Sequence, residues 1–382
     1  MNIWLPSNLN TSPFIFSYIM KEDIKKKVIS IQKQQIKYSK LLATIFLMIA
    51  TAAAMFNYFK VLDAEKDQSS YYLPPNLYKV KINSIACGDK LCSKTNTNVS
   101  FKIDEKIVTV QGQKIFYLET GRENNQTILL LHGYPTSSNM YRDLISKLAD
   151  KFHLVAPDYI GYGKSSKPKI NEFEYTFEHQ AQIINEFTEK IGLKKFNLYV
   201  MDYGAPIGFR IAATNPEKVN SFIVQNGNAY NEGLGEFWNP IKNWWYNKTT
   251  ENEEKIRQSL TLSVTKWQYI HGTRNPEAID PSNWKTDQAI LDSPGNSEIQ
   301  LAMLYDYRTN VQLYPQWQNY FREYQPPMLI VWGANDYIFP EIGAHQYKRD
   351  LKNVDIYVLN TGHFALEEDS NFIAQKISEF LN

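Results

Sequence analysis

Three residues far apart in the chain, Asp202, Asp336 and His363, have the types and the order that nucleophilic catalysis needs. Asp202 follows the apolar run 196–200 and leads through Tyr203-Gly204-Ala205-Pro206 into the helical stretch 207–213. This is the layout of a sharp strand-to-helix turn that lifts one side chain above a sheet. The lifted residue is a carboxylate, which is ionised at neutral pH and attacks an electrophilic carbon without help from a base. The product is an ester on the enzyme, and hydrolysing it takes an activated water. His363, in Asn360-Thr361-Gly362-His363-Phe364 after the run 355–359, has the chemistry of the general base. Asp336 closes Gly333-Ala334-Asn335-Asp336 after the run 328–332, where it would orient and stabilise the imidazolium. A fourth element, His132-Gly133-Tyr134-Pro135, follows the apolar Thr127–Leu131. There the Tyr134 N–H, with the Tyr203 N–H as partner, would form an oxyanion hole for ester hydrolysis. His132 and the turn-rich stretch 158–163 read as architectural.

Positioning these groups takes an open sheet, because α/β sheets gather ligands at the carboxyl ends of their strands. Apolar runs fit for buried parallel strands occur at 127–131, 153–156, 196–200, 221–224, 328–332 and 355–359. Amphipathic stretches at 140–149, 177–191 and 372–381 separate several of them. Ahead of these, 101–103, 107–110 and 114–119 look like successive strands with turns at Asp104-Glu105 and Gln111-Gly112. The alternation predicts an α/β fold, a mostly parallel sheet with helices on both faces. Between 224 and 328 strand-like runs are scarce, and residues 232–325 hold six of the eight tryptophans. This interval reads as a helical cap inserted between two sheet strands. The hydrolase core is then expected in two parts, 98–231 and 326–382.

These residues resemble the α/β-hydrolase superfamily, and within it the branch of epoxide hydrolases and haloalkane dehalogenases. The resemblance covers roughly 99–382 and rests on His132-Gly133-Tyr134-Pro135, the Asp202 turn, Asp336 and His363. It implies a hydrolase working through an alkyl-enzyme ester on a small apolar substrate, with no cofactor and no metal. Haloalkane dehalogenases usually hold halide with a Trp after the nucleophile and an Asn after His-Gly; this chain has Tyr203 and Tyr134 there. Epoxide hydrolases favour an aromatic residue after His-Gly and use cap tyrosines to protonate the opening oxygen. Tyr307, in Tyr305-Asp306-Tyr307-Arg308, matches one such tyrosine, and Tyr269 is a candidate for the second by its place in the cap. Epoxides are therefore expected ahead of haloalkanes. Val200, two before Asp202, is bulkier than the Gly many relatives place there. A membrane-tethered protein that has lost hydrolysis is a reading of another class. It gives no physical need for Asp336, His363 and both oxyanion loops together.

Composition sets the outer bounds. The 382 residues carry 41 Lys+Arg against 40 Asp+Glu, so no basic surplus points to nucleic acid. Two cysteines, Cys87 and Cys92, make neither a disulfide framework nor a Cys-rich zinc site. They read equally as a small closed loop or as two free thiols. Seven lysines between 21 and 40 precede the uncharged run 41–59, which would make about 28 Å of helix, close to a bilayer core. Residues 1–60 are expected to form a basic segment with an anchor helix, or a signal peptide cleaved after Ala52-Ala53-Ala54. Residues 61–97 read as a stalk. Either way the catalytic part is expected outside the cytoplasm, membrane-anchored or exported. Oligomeric state is not legible.

Overall fold

The structure, a computed structural model, describes residues 102–382; the basic segment, the apolar run 41–59, the stalk and Cys87 and Cys92 lie outside the described residues. Among the described residues no helix is long and apolar enough to cross a membrane.

The strands are β1 (Asp104–Val110), β2 (Gln113–Thr120), β3 (Thr127–Leu131), β4 (His153–Pro157), β5 (Phe196–Met201), β6 (Val219–Gln225), β7 (Met328–Gly333) and β8 (Val354–Leu359). They form one sheet in the order β1-β2-β4-β3-β5-β6-β7-β8. The pairs β1/β2 and β2/β4 are antiparallel, and every later pair is parallel. The expected turn at Asp104-Glu105 is not there. Those residues open β1, in register with Leu118 and Glu119, and their half-exposed alternation is that of an edge strand.

The central strands are buried along nearly their whole length and mostly apolar because both faces are covered. Alternate residues feed two separate cores. Leu129, Leu131, Leu198, Val200, Val224 and Ile330 face one. Ile128, Leu130, Tyr199, Met201, Ile223 and Leu329 face the other. Helix α1 (Arg142–Leu148) and the C-terminal Leu366–Leu381 cover the second face through Leu144, Leu148, Ile373 and Ile377. Helix α2 (Phe177–Lys190) and helix α3 (Gly204–Thr214) cover the first. Thr176 caps α2 by accepting the His179 N–H, which fixes where Phe177 begins the helix.

Between β6 and β7 the chain forms helices α4 (Asn239–Tyr246), α5 (Thr250–Arg257), α6 (Leu262–Ile270), α7 (Pro281–Leu291) and α8 (Asn296–Tyr324), with no strand among them. The second half of α8 packs on the core: Trp317 and Phe321 lie 5.6 and 5.3 Å, ring to ring, from Phe209 of α3. Two helices complete the chain order, the short α9 (Ile342–Gln346) and the kinked α10 (Leu366–Leu381).

Candidate active site

The turn between β5 and α3 holds Asp202 at φ 49°, a left-handed conformation uncommon for a non-glycine residue. The tightness of the turn depends on its neighbours. A Cβ on Gly204 would lie 2.1 Å from the Leu131 carbonyl oxygen, so only glycine lets α3 start this close to β3. The bulk of Val200 is absorbed one helical turn further on. Its Cγ1 occupies the space a Cβ on Gly208 would need, at 2.6 Å.

Asp202 is buried, and its two carboxylate oxygens are not equivalent. Oδ1 accepts the backbone N–H groups of Tyr134 (2.8 Å) and Tyr203 (2.5 Å). Oδ2 faces His363 Nε2 at 3.7 Å, too far for a hydrogen bond. Burial pushes the Asp202 pKa up to about 6, against the opposing pull of His363 and the two N–H donors. His363 Nδ1 lies 2.8 Å from Asp336 Oδ2. Burial alone would depress the imidazole pKa, but the Asp336 and Asp202 carboxylates outweigh it and the net shift is upward. Asp336 accepts the Ile338 N–H at 2.7 Å through Oδ1. Thus Asp202, Tyr134, Tyr203, His363 and Asp336 are brought together at the carboxyl ends of β3, β5 and β7 and the loop after β8.

The two cap tyrosines part company. Tyr307, on α8, is fully buried, with its ring 4.3 Å from Trp238 and 6.0 Å from Tyr203. Its hydroxyl has no hydrogen-bond partner of normal geometry in the protein; Tyr314 and the Asp202 charge lie close enough to affect its ionisation. Burial, then these neighbours, raise its pKa well above the usual phenol value. The Tyr203 hydroxyl and His363 Nε2 likewise lack protein partners. Three enclosed polar atoms, on Tyr203, Tyr307 and His363, thus lack a hydrogen-bond partner of normal geometry in the protein, which is uncommon in native cores. Tyr269 differs. Its ring stacks on Phe364 at 4.3 Å and its hydroxyl donates to Asp287, in the core on the other sheet face. The structure does not bring that hydroxyl to Asp202, because a buried carboxylate on α7 has claimed it.

Sequence reasoning missed Asn226. It follows β6 at φ 44°, donates to Asp336 Oδ2 (2.7 Å) and accepts the Gly333 N–H (3.2 Å). Asp336 is thereby held from a neighbouring strand end, which fixes the carboxylate that fixes His363. The available signal was a polar Gln225-Asn226-Gly227-Asn228 run at a strand end. His132 is architectural in the structure: its Nδ1 meets the Gly133 carbonyl, Nε2 accepts the Tyr159 N–H, and burial lowers its pKa to about 3.

Residues 126–370 match the model of the α/β-hydrolase fold family. The chain belongs to that family. An uncharacterized hydrolase of Saccharomyces cerevisiae is 39% identical over 278 residues, 71% of this α/β hydrolase and 94% of the yeast protein. Among solved structures, a haloalkane dehalogenase from Agrobacterium tumefaciens superposes with a TM-score of 0.62 at 23% identity, over 73% of this chain and 96% of its own. An epoxide hydrolase superposes with a TM-score of 0.60 at 19% identity, over 73% and 99%. At these identities the structural likeness is one of fold. A haloalkane dehalogenase of Mycolicibacterium paratuberculosis is 39% identical over 115 residues, 30% of this chain and 38% of its own, which is consistent with the branch that the motifs resemble. Among the described residues no group of three or more His, Cys, Asp or Glu is placed to hold a metal ion.

Proposed function

We propose that the protein is an epoxide hydrolase that works through an ester on Asp202. The inequality of the two Asp202 oxygens carries this reading: one is held by both N–H donors, and the other is free beside His363. Oδ2 attacks a ring carbon of the epoxide and forms a C–O bond. The ring C–O bond breaks, and its electron pair goes to the oxygen, which takes the proton of Tyr307. A phenol of ordinary pKa about 10 can protonate an alkoxide, a far stronger base. His363 Nε2 then removes a proton from water, whose oxygen adds to the ester carbonyl. The negative charge builds on Oδ1 between the Tyr134 and Tyr203 N–H groups, where the donors are already placed. Collapse breaks the Cγ–Oδ2 bond and releases a 1,2-diol, whose departing oxygen takes the proton back from His363. The water oxygen stays in the Asp202 carboxyl, which gives up its proton to restore the Tyr307 phenol by way of solvent and is left as the carboxylate. Ester formation also removes the Asp202 charge, one cause of the raised His363 pKa, so the imidazole loses its proton more readily at the step that needs a base.

Replacing His363 with Gln should let the first half-reaction proceed and stop the second. Mass spectrometry of His363→Gln incubated with racemic epoxides should then find an adduct on Asp202. Absence of any adduct with epoxides and haloalkanes alike would overturn the mechanism. Haloalkane dehalogenation is the second reading, favoured by the buried Tyr203 hydroxyl, which can donate to a leaving halide. Halide release from 1,2-dibromoethane without diol formation from epoxides would select it. For the N-terminal region, the charge-free run 41–59 behind its lysines supports an anchor with the catalytic part outside the cytoplasm, or export after cleavage. Carbonate extraction of membranes combined with protease protection separates anchored, exported and untethered forms.

A further inference from the structure

A polar cluster buried behind Tyr307 has no part in the chemistry above. Arg210 lies two turns into α3, the helix that Asp202 introduces, and is only 5% exposed. One of its terminal nitrogens donates to Asn310 Oδ1 (2.6 Å) and to the Pro206 carbonyl of its own helix (3.2 Å). The other donates to Thr309 Oγ1 (3.1 Å), and Nε to Glu178 of α2 (3.3 Å). On the other side of Tyr307, Asp306 Oδ2 accepts the Phe177 N–H at 2.8 Å, and the Phe177 ring meets Tyr203 and Tyr307 edge-on at 4.8 and 5.5 Å. The cap helix is therefore tied to the core at the residue before the tyrosine and at the second and third residues after it.

We infer that Arg210 is a positioning residue, which locks the register of α8 so that the Tyr307 hydroxyl is held over Asp202. This rests on the reading of Tyr307 as the acid. Apolar packing alone tolerates small slides and rotations of a helix, whereas a guanidinium fork engaging two consecutive side chains does not. Stability gives no better account of the cluster. Burial lowers the Arg210 pKa to about 10 and raises that of Asp306, so for both groups desolvation exceeds what their pairing returns. Asn310 Nδ2 is left without a partner, a further cost of holding its carbonyl oxygen on Arg210. Buried ionic groups retained against such costs are best attested as devices that fix register.

The test measures the rate at which the Asp202 ester accumulates in the His363→Gln enzyme, alone and combined with Arg210→Met, Tyr307→Phe or both. Arg210→Met should slow ester formation by about tenfold to a hundredfold, the cost of a displaced catalytic group, with epoxide affinity unchanged. Once Tyr307→Phe has removed the acid, Arg210→Met should slow it by no more than about twofold, since the two changes act through one group. Unchanged ester formation in Arg210→Met, or a full multiplicative loss in the combined variant, overturns the inference. Should Arg210→Met fail to fold, Thr309→Val with Asn310→Ala removes the cap-side acceptors and is judged by the same two outcomes. If His363→Gln by itself forms no ester, the hydrolytic mechanism falls first. Ester formation at an undiminished rate removes only the role of Arg210.

Discussion

Asp202→Asn separates the cost of the nucleophile from its use. Burial raises the Asp202 pKa from the ordinary 3.8 to about 6. An acid whose folded pKa lies above its unfolded value is a burden once ionised: the burden is absent below the unfolded value and complete above the folded one. At about 1.4 kcal/mol per pH unit, the difference amounts to about 3 kcal/mol at pH 8 and about 1 kcal/mol at pH 4.5. Asn has the same shape, keeps an oxygen for the Tyr134 and Tyr203 N–H groups and carries no charge. The variant should be inactive and more stable than wild type, by about 3 kcal/mol at pH 8 and by about a third of that at pH 4.5. Urea unfolding at the two pH values, followed by tryptophan fluorescence, supplies the four free energies needed. If Asp202→Asn is less stable at pH 8, or gains the same at both pH values, desolvation of the carboxylate is not what the site works against.

Further expectations follow from the same geometry. The rate of ester formation should fall as pH drops through about 6, where Asp202 takes up a proton, and stopped-flow measurement of the first half-reaction with a chromogenic epoxide reads this limb directly. Asn226→Ala deprives Asp336 of a hydrogen bond and should slow ester hydrolysis by about tenfold while sparing ester formation, seen in single-turnover experiments as a longer-lived adduct. Tyr269→Phe leaves Asp287 buried without its donor; it should cost about 1–3 kcal/mol of stability and leave the ester-formation rate unchanged.

The strands were legible because a sheet covered on both faces writes an unbroken apolar run. Thr127–Leu131 coincides with its run, and β5 and β7 extend theirs by one residue each, Met201 and Gly333. At the edge, 107–110 was legible as strand but the start of β1 was not: Asp104-Glu105 looks like a turn until β2 is seen to pair with it. In the site, Asp202, Asp336 and His363 stood out because titratable residues at strand ends are chemically conspicuous. Asn226 carries no charge and no spacing rule, and its place beside Asp336 arises only from the pairing of β6 with β7. Tyr307 was singled out by the segment around it, whereas Tyr269 was a candidate only by its place in the cap. Which hydroxyl is free depends on where Asp287 lies, and that is a tertiary fact. Arg210 within Ile207-Gly208-Phe209-Arg210 looks like any helical arginine until Asn310 and Thr309 come to meet it.

Helix α8 has a consequence for how the enzyme opens. Its 29 residues, about 43 Å of rise, begin among the cap helices and end at β7, whose first residue pairs with the middle of β6. The same rod is therefore a wall of the cap and the crossover that returns the chain to the start of the sheet. A lid hinged at its two chain connections would have to carry this helix along, and residues 306–310 are pinned to α2 and α3. The shorter cap elements are tied down as well: Trp245 and Arg257 bond to the rod at Leu304 and Glu298, and Arg274 and Asn283 bond to Asp369 and Glu367 of α10. Tyr307 thus sits within the stretch of the cap that is pinned to α2 and α3. In the mechanism proposed above, the acid would be aligned by the same bonds that join cap to core, so its placement would not depend on which cap element moves to admit substrate.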